Sequence, residues 1–396
     1  MALFHADRRK GWLGVAALVA VAFVNFKFDT GFGWVFLDIA LALGLVCALC
    51  PEWLTGKATP TGARPTIVGN LVGIFIVLAV GEAAVRLVAP QAYMSPRLVA
   101  SPLYGMAAPT QTDFVNSMPG RWRFRYTSNE YGHRGPAAAI GNADRTPNVV
   151  LLGDSYTFGV GVDDGQEYAA VMAAALGDAA QVVNLGSPGW GLTQEMRRFY
   201  EFGRVYDPAV VLLQFCENDP GDNIQTPVTY IDGGRIAFRS LDSGAYLLRR
   251  NMQALVRYLG ESVLQYSQIY EMFRFGAFEY LRRRFSRETG EAGAPELGQD
   301  KTYNTLLEAF AEDLTRRGIK LVFFSVNGEW GIGPHPLIRA KALELQAQGK
   351  LVYIDTEPLF DGKTGYESPE GHHWGVGGHK IIGDEMARRV RALLNR

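Results

Sequence analysis

The sequence predicts an α/β domain that follows an N-terminal all-α region of membrane-spanning helices. Three long apolar runs precede Pro90 and none follows it. From Asn148 onward, short apolar runs of strand length alternate with stretches that have helical spacing. We therefore divide the 396-residue chain into a membrane region at 1–90, a lead-in segment at 91–147 and an α/β domain at 148–396.

Composition excludes several other classes of protein. Lys and Arg number 39 and Asp and Glu 40, so the net charge of −1 gives no sign of a nucleic-acid-binding surface. Hydrophobic residues make up 48% of the chain and charged residues 20%, which is typical of a folded protein rather than a disordered one. The three cysteines, an odd number, form neither a disulfide framework nor a zinc ribbon.

The three apolar runs cover about 11–28, 32–54 and 67–88. A bilayer core of about 30 Å requires around 20 helical residues, so each run is long enough to cross, the first only just. Glu82 and Arg86 are four residues apart near the end of the third run, and this spacing predicts an ion pair on one helix face. A site for a polar headgroup or a proton is the alternative.

Basic residues flank these runs unevenly. Arg8, Arg9 and Lys10 precede the first run, and Lys57 and Arg64 lie between the second and the third. Because Lys and Arg concentrate on the cytoplasmic side, this bias predicts a multi-pass protein of the cytoplasmic (inner) membrane with a periplasmic or extracellular C-terminal domain. If the first run is instead a cleaved signal peptide, or if the first two runs form a hairpin that does not cross, the C-terminal domain still lies outside.

The α/β domain is predicted from five apolar runs whose near-continuous character suits parallel strands covered on both faces. These runs are 149–152, 182–185, 210–213, 321–324 and 351–354. The helical stretches beside them are 166–176, 193–202, 303–317, 336–348 and 381–394. Alternating strands and helices predict a doubly wound sheet with right-handed crossovers.

Two further stretches have a regular period. Arg121–Tyr126 alternates basic and aromatic residues, which predicts a half-buried strand in preference to a surface that stacks nucleobases. Residues 246–285 have helical spacing and lie within a predicted helical insertion at about 240–300. This insertion either packs over the sheet, which we prefer, or lies on the bilayer as an amphipathic helix.

Candidate catalytic residues follow the predicted strands, at the edge where open α/β sheets bind ligands. Ser155 follows the first strand, Gly189 lies in the loop after the second, and Asn218 follows the third. A serine nucleophile needs a base and a carboxylate that orients the base. Glu370 and His373, three residues apart before the last helix, supply both. Each motif taken alone is more often an ordinary turn or helix cap.

The histidines near the C-terminus allow a second interpretation. His372, His373 and His379 cluster within eight residues and could instead hold a metal ion. However, neither H-E-x-x-H nor another strong ligand spacing is present. We therefore predict no metal and no cofactor.

Together, the four motifs resemble the SGNH (GDSL-type) hydrolase family in order and spacing, as found in membrane-anchored bacterial members. The resemblance covers about 129–396 and includes the lead-in motif Asn-Glu-Tyr-Gly-His-Arg-Gly at 129–135. Gly153–Ser155 matches the serine block of the family, and His373 matches its base. The chain departs from the family at Cys216, where the family has glycine, and at Glu370, where it has aspartate.

This resemblance implies a flavodoxin-like parallel sheet of five strands, the SGNH hydrolase fold. It also implies a role for each matched residue. Ser155 is the nucleophile, His373 its base and Glu370 the acid. The backbone N–H groups of Ser155 and Gly189 and the side chain of Asn218 form the oxyanion hole.

The sequence thus predicts a membrane-anchored serine esterase that hydrolyses carboxylic esters, O-acyl or O-acetyl, outside the cytoplasmic membrane. Its expected partners are the bilayer and an acylated small molecule or envelope glycan. One alternative is an O-acyltransferase that modifies an envelope glycan, and another is a non-catalytic domain that binds a glycan or a partner protein. We expect Tyr156, Trp190 and Trp374 to rim the crevice and stack a sugar ring.

Overall fold

A computed structural model describes residues 78–95, 98–118, 120–136, 146–241, 267–272, 296–326 and 336–395. They belong to two compact units, one holding 78–91 and 267–272 and the other holding the rest. Within these residues, no helix combines the length and the apolar composition needed to cross a bilayer. The first two predicted membrane runs, the start of the third and most of the predicted helical insertion lie outside the described residues.

The first unit contains a helix at 78–88 and a second helix, of which residues 268–272 are described. Arg86 Nε donates to Glu82 Oε1 at 2.8 Å, which confirms the predicted i, i+4 pair. The same carboxylate accepts the Ser267 hydroxyl at 2.8 Å and the Gln268 N–H at 2.8 Å. Glu82 therefore accepts backbone N–H groups at the start of this second helix, which would otherwise have no intrahelical partner.

The second unit is built on a parallel sheet of five strands. These strands are β6 (Asn148–Leu152), β7 (Gln181–Asn184), β8 (Pro208–Phe215), β11 (Lys320–Ser325) and β12 (Val352–Ile354). Their spatial order is β12-β11-β8-β6-β7 and every pairing is parallel. This is the flavodoxin-like order, so the predicted α/β sheet is confirmed.

Helices cover both faces of this sheet. They are α1 (Ser155–Phe158), α2 (Tyr168–Leu176), α3 (Leu192–Glu201), α4 (Asp219–Gln225), α5 (Glu296–Arg316), α6 (Pro336–Ala347), α7 (Glu357–Phe360) and α8 (Val376–Leu394). Val150 and Leu152 pack in one core with α3, α5 and α6. Val149 and Leu151 point the other way and pack with α2 and α8. Successive side chains of a strand face opposite sides, so two-sided burial requires apolar residues at every position.

The lead-in segment and a later hairpin supply the remaining strands. They are β1 (Tyr93–Ser95), β2 (Val99–Ser101), β3 (Gly105–Ala107), β4 (Thr112–Met118), β5 (Trp122–Ser128), β9 (Thr229–Asp232) and β10 (Arg235–Phe238). Strands β1, β4 and β5 form an antiparallel sheet, and β5 confirms the strand predicted from the basic-aromatic alternation. Phe114 and Tyr126 of this sheet pack against Phe158 in a third, smaller core.

Helix boundaries differ from the sequence prediction at two places. Helix α5 begins at Glu296 and α8 begins at Val376, earlier than the predicted starts at 303 and 381. Glycines lie in the first turns of both helices, at 298, 377 and 378. Glycine disfavours helix locally, whereas tertiary packing, which buries Asp300 in α5 and Gly378 and His379 in α8, stabilises these starts.

The core on the α3–α5–α6 face generates a stability prediction. The buried Phe310 ring lies 5.3 Å from that of Phe199 and 6.2 Å from that of Tyr200. Truncation in Phe310→Ala leaves a cavity and should lower the free energy of unfolding by about 3–5 kcal/mol, measured by urea titration. Leu343→Ala, at a side chain 47% exposed on α6, is the control and should cost less than about 1 kcal/mol. Equal losses in the two variants would contradict this assignment of the core.

Candidate active site

A tight turn carries Ser155 at the carboxyl end of β6, where α1 begins. Gly153 precedes it in an unusually crowded position. A Cβ atom built on this glycine would lie 2.1 Å from Thr157 Oγ1 and 2.4 Å from Gln214 Oε1. Only a residue without a side chain fits between them, so the turn that exposes the serine requires glycine here.

Asp154 forms the N-cap of α1. Its Oδ1 accepts the Tyr156 N–H at 3.0 Å, and its own N–H donates to Gln214 Oε1 at 3.2 Å. Burial raises the pKa of the Asp154 carboxyl, while the Tyr156 N–H and the charge of His373 oppose this effect. The aspartate therefore fixes the first turn of the helix. Neither the cap formed by Asp154 nor the contact of Gln214 is evident from the sequence.

Ser155, His373 and Glu370 form a chain of two hydrogen bonds. His373 Nε2 lies 2.8 Å from Ser155 Oγ, and His373 Nδ1 lies 2.6 Å from Glu370 Oε1. The same carboxylate oxygen also accepts the His373 backbone N–H at 2.7 Å. This geometry suits an imidazole that donates from Nδ1 to the carboxylate and leaves Nε2 free to accept the serine proton. The structure thus brings together the three residues predicted to form the triad.

The electrostatics of this loop favour an ionised Glu370. Burial alone raises the pKa of its carboxyl, but the hydrogen bonds and charge of His373 outweigh burial and hold the pKa below the ordinary value of 4.5. Because the folded-state pKa is depressed, the resulting stabilisation is fully present above about pH 4.5 and is lost as pH falls through the lower folded value. At neutral pH the carboxylate is therefore charged and can orient the imidazole.

The three predicted oxyanion donors all follow neighbouring strands of the sheet, β6, β7 and β8. Gly189 is exposed in its loop. Asn218 is also exposed, at the N-terminus of α4, and its Nδ2 donates to Asp222 Oδ2 at 2.6 Å. Asp219 Oδ2 accepts the Cys216 N–H at 3.0 Å and closes the turn that carries Asn218. One amide proton of Asn218 is thus held by Asp222, and its other proton can serve an oxyanion.

The predicted aromatic rim is wrong. Tyr156, Trp190 and Trp374 are only 4%, 2% and 0% exposed, so their rings cannot stack a sugar. Trp190 instead donates from Nε1 to the Met106 carbonyl at 2.7 Å and stacks on Tyr104 at 4.8 Å. It therefore fixes the loop of Gly189 to the lead-in segment.

The other two rings support the histidine loop, which we define as residues 368–373. The Tyr156 hydroxyl donates to the His372 carbonyl at 2.6 Å, and its ring lies 5.0 Å from the His373 ring. Trp374 meets Tyr156 edge-on at 5.0 Å. These contacts restrict the position of the His373 ring. Nothing in the local sequence indicated them.

The remaining histidines have separate environments. His372 lies at the surface with its ring partly desolvated, and this partial desolvation, followed by the charge of His373, lowers its pKa. His379 is fully buried and its Nδ1 accepts the Tyr168 N–H at 3.1 Å. In the described part of the chain, no group of three or more His, Cys, Asp or Glu side chains is arranged to hold a metal ion.

With this geometry in place, residues 151–381 match the model of the GDSL-like Lipase/Acylhydrolase family. The chain belongs to this family. It is accordingly an enzyme that hydrolyses ester bonds, which confirms the reaction class predicted from the motifs. Among curated protein sequences, none matches the chain.

Several solved structures are similar to it at low identity. A putative lipolytic protein of the G-D-S-L family from Desulfitobacterium hafniense DCB-2 is 15% identical, covering 61% of this chain and 98% of that one, with a TM-score of 0.36. The psychrotrophic esterase EstA from Pseudoalteromonas sp. is 13% identical, covering 63% and 99%, with a TM-score of 0.37. A carbohydrate acetylesterase family member from Sinorhizobium meliloti is 13% identical, covering 63% and 100%, with a TM-score of 0.34. The family assignment depends on the family model and not on these likenesses.

The short contact between Glu370 and His373 predicts what changes at the acid position will do. Glu370→Gln removes the charge that orients the imidazole and should lower kcat by about 10²–10⁴-fold. Glu370→Asp shortens the arm by one methylene, opens the 2.6 Å contact and should cost about 10–10²-fold. Both values are measured by hydrolysis of a p-nitrophenyl acyl ester.

Glu367→Gln is the matched control, because Glu367 is an exposed glutamate next to the same loop and its backbone forms an isolated bridge with Trp374. It should keep wild-type kcat. Full activity of Glu370→Gln would remove Glu370 from the site.

Proposed function

We propose that the protein is a membrane-anchored serine esterase that acts outside the cytoplasmic membrane. Its substrates are carboxylic O-acyl esters, such as O-acetyl esters. One observation carries the catalytic part of this proposal. Ser155, His373 and Glu370 are joined by hydrogen bonds of 2.8 and 2.6 Å, although 218 residues separate the serine from the histidine. A hydroxyl becomes an effective nucleophile when a base within this distance can take its proton.

In the first half of the reaction, Ser155 Oγ attacks the ester carbonyl carbon and its proton passes to His373 Nε2. Glu370 stabilises the imidazolium that results. The negative charge moves to the carbonyl oxygen, which the N–H groups of Ser155 and Gly189 and the amide of Asn218 bind. Losing one such donor typically lowers turnover by about 10²–10³-fold. Collapse of the intermediate breaks the ester C–O bond, and the leaving alcohol takes the proton from His373.

In the second half, water attacks the acyl-enzyme and gives a proton to His373 Nε2. The second tetrahedral intermediate collapses, Ser155 Oγ leaves and recovers that proton, and the carboxylic acid is released. A sugar hydroxyl in place of water would give acyl transfer to a glycan with the same residues. The choice between water and a glycan as acceptor is therefore an outcome of the test.

The location of the enzyme is supported by the sequence. Three apolar runs with basic residues before the first and between the second and third predict an odd number of crossings from a cytoplasmic N-terminus. The described end of the third run, the helix at 78–88, leaves Leu78, Val80, Leu87 and Val88 exposed, as a segment that contacts lipid would.

Fluorophosphonate labelling of the detergent-solubilised protein tests the catalytic proposal. The wild type should be labelled at Ser155 and should hydrolyse acyl esters, because the probe reacts only with an activated serine. Ser155→Ala should abolish both signals, and His373→Ala should lower the labelling rate by at least about 10²-fold. Incubation with a p-nitrophenyl acetate donor and an envelope glycan then compares transfer with hydrolysis.

Each result has a distinct meaning. Labelling that persists in Ser155→Ala rules out this nucleophile. A folded wild type that is neither labelled nor active, but binds a glycan, supports the non-catalytic binding domain. Transfer that exceeds hydrolysis supports the acyltransferase.

Reporter fusions test the location. Alkaline phosphatase fused after residue 396 should be active, because it folds only after export, whereas green fluorescent protein at the same position should stay dark. Fusions after residue 62, in the connection between the second and third runs, are the control and should give the reverse pattern. A fluorescent fusion after residue 396 would place the domain in the cytoplasm.

A further inference from the structure

Arg134 lies in the lead-in segment, before the first residue of the family match at 151. Its side chain is 0% exposed, which is unusual for an arginine and requires partners for its charge and its donors. The ion-pair partners are Asp164, at 3.3 Å from Nε, and Glu167, at 3.4 Å from Nη2. The Tyr126 ring covers the guanidinium at 4.7 Å. The charge is therefore compensated, and the guanidinium N–H groups remain to be accounted for.

Nε makes only the ion-pair contact with Asp164, whereas the Nη1 and Nη2 donors bind backbone carbonyls just after the nucleophile. Arg134 Nη1 donates to the carbonyls of Phe158, at 3.2 Å, and of Gly159. Nη2 donates to the Val162 carbonyl at 2.9 Å. Helix α1 starts at Ser155 and ends at Phe158, so its last carbonyls have no partners within the helix. The planar fork of one guanidinium holds the end of the nucleophile helix and the loop after it in a single geometry.

The same loop touches the catalytic base. The Gly161 carbonyl accepts the Ser368 hydroxyl at 3.1 Å, and Ser368 N–H donates to the His373 carbonyl at 2.8 Å. Gly161 has a φ of +92°, and a Cβ there would lie 2.8 Å from Ser368 Oγ and 3.5 Å from His373 Cβ. Residue 161 thus lies directly against the histidine loop, which carries His373.

The lead-in motif explains how Arg134 is aimed at this loop. Asn129 Oδ1 accepts the N–H groups of Tyr131, at 2.9 Å, and of His133, at 3.1 Å. Asn129 N–H donates to the His133 carbonyl at 2.8 Å, and Arg134 forms an antiparallel bridge with Ser128. The asparagine closes a tight loop whose exit directs the arginine inward. The motif at 129–135 therefore forms a loop that holds the Arg134 guanidinium at a fixed position.

We propose that Arg134 is a positioning residue for the Ser155–His373 pair, because its guanidinium holds the end of the nucleophile helix and the loop that packs on the histidine. This inference rests on the proposed function, since it assigns a role toward that same site. The residue does not touch substrate, so its loss should act on kcat and leave KM nearly unchanged. Misplacement of reacting groups by about 1 Å can cost about 10²-fold in rate.

The test uses the full-length protein in detergent and compares Arg134→Lys with Arg197→Lys. Arg197 is the matched control because it is also a buried arginine with an ion pair, to Glu201 at 2.8 Å, and a carbonyl acceptor, Arg239 at 2.6 Å. It contacts neither 155–162 nor the histidine loop through these bonds. Lysine keeps the charge in both variants but cannot make the forked set of bonds.

For Arg134→Lys we expect kcat and the fluorophosphonate labelling rate to fall about 10-fold, with KM within about threefold of wild type. Arg197→Lys should keep kcat and the labelling rate within about twofold of wild type, even if its melting temperature falls as much as that of Arg134→Lys. Hydrogen exchange of the amides at 156–162 should accelerate in Arg134→Lys alone, because the carbonyls around them lose their clamp. Ser368→Ala removes the hydroxyl that donates to the Gly161 carbonyl at 3.1 Å and accepts the Glu370 N–H at 3.5 Å, and it should lower kcat about threefold, which provides a milder variant.

The outcomes separate this inference from the proposed function. Wild-type kcat and labelling in folded Arg134→Lys, or equal losses in Arg134→Lys and Arg197→Lys, overturn the positioning role while leaving the esterase intact. A wild type that is never labelled overturns the proposed function instead. In that case hydrogen exchange alone tests whether Arg134 holds residues 156–162. Unchanged exchange at 156–162 in Arg134→Lys overturns this role of Arg134, and faster exchange there supports it.

Discussion

A serine hydroxyl is a weak nucleophile until a base lies within hydrogen-bond reach of it. In this protein His373 Nε2 lies 2.8 Å from Ser155 Oγ, and the local structure around Ser155 maintains this contact. The backbone has to turn sharply at the end of β6 without closing over the hydroxyl. Gly153 allows the turn because no side chain fits between Thr157 and Gln214. The short helix then starts at the serine itself, whose Oγ lies 2.8 Å from His373 Nε2.

The three strands whose ends matter most are neighbours in space but are separated along the chain. Strand β6 lies between β7 and β8. The loops that follow β7 and β8 therefore lie on either side of the serine that follows β6. The lead-in segment belongs to the same compact unit as this sheet. Its Met106 and Tyr104 hold Trp190 beside the Gly189 loop, and its Arg134 holds the loop after α1. A family boundary at residue 151 therefore does not coincide with the boundary of the physical unit that supports the site.

Two carboxyl groups beside the same histidine have opposite environments. Burial dominates at Asp154 and raises its pKa, in agreement with its role as a helix cap rather than as the orienting acid. At Glu370 the hydrogen bonds from His373 outweigh burial and lower the pKa, so this group stays charged next to the imidazole. The replacement of the family aspartate by glutamate is accommodated, because Oε1 still reaches both Nδ1 and the backbone N–H of His373.

The sequence alone determined the five strands, because strands buried on both faces are apolar at every position and this period is visible without any partner. It also predicted Ser155, His373 and Glu370, because their motifs follow one another in the order and spacing of the SGNH family that the chain resembles. Only the tertiary structure decided the burial of Trp190 and the bonding partners of Arg134. Trp190 bonds a carbonyl 84 residues away and Arg134 bonds one 24 residues away. Backbone carbonyls carry no residue identity, so contacts to them leave no mark in a sequence and appear only when the chain is folded.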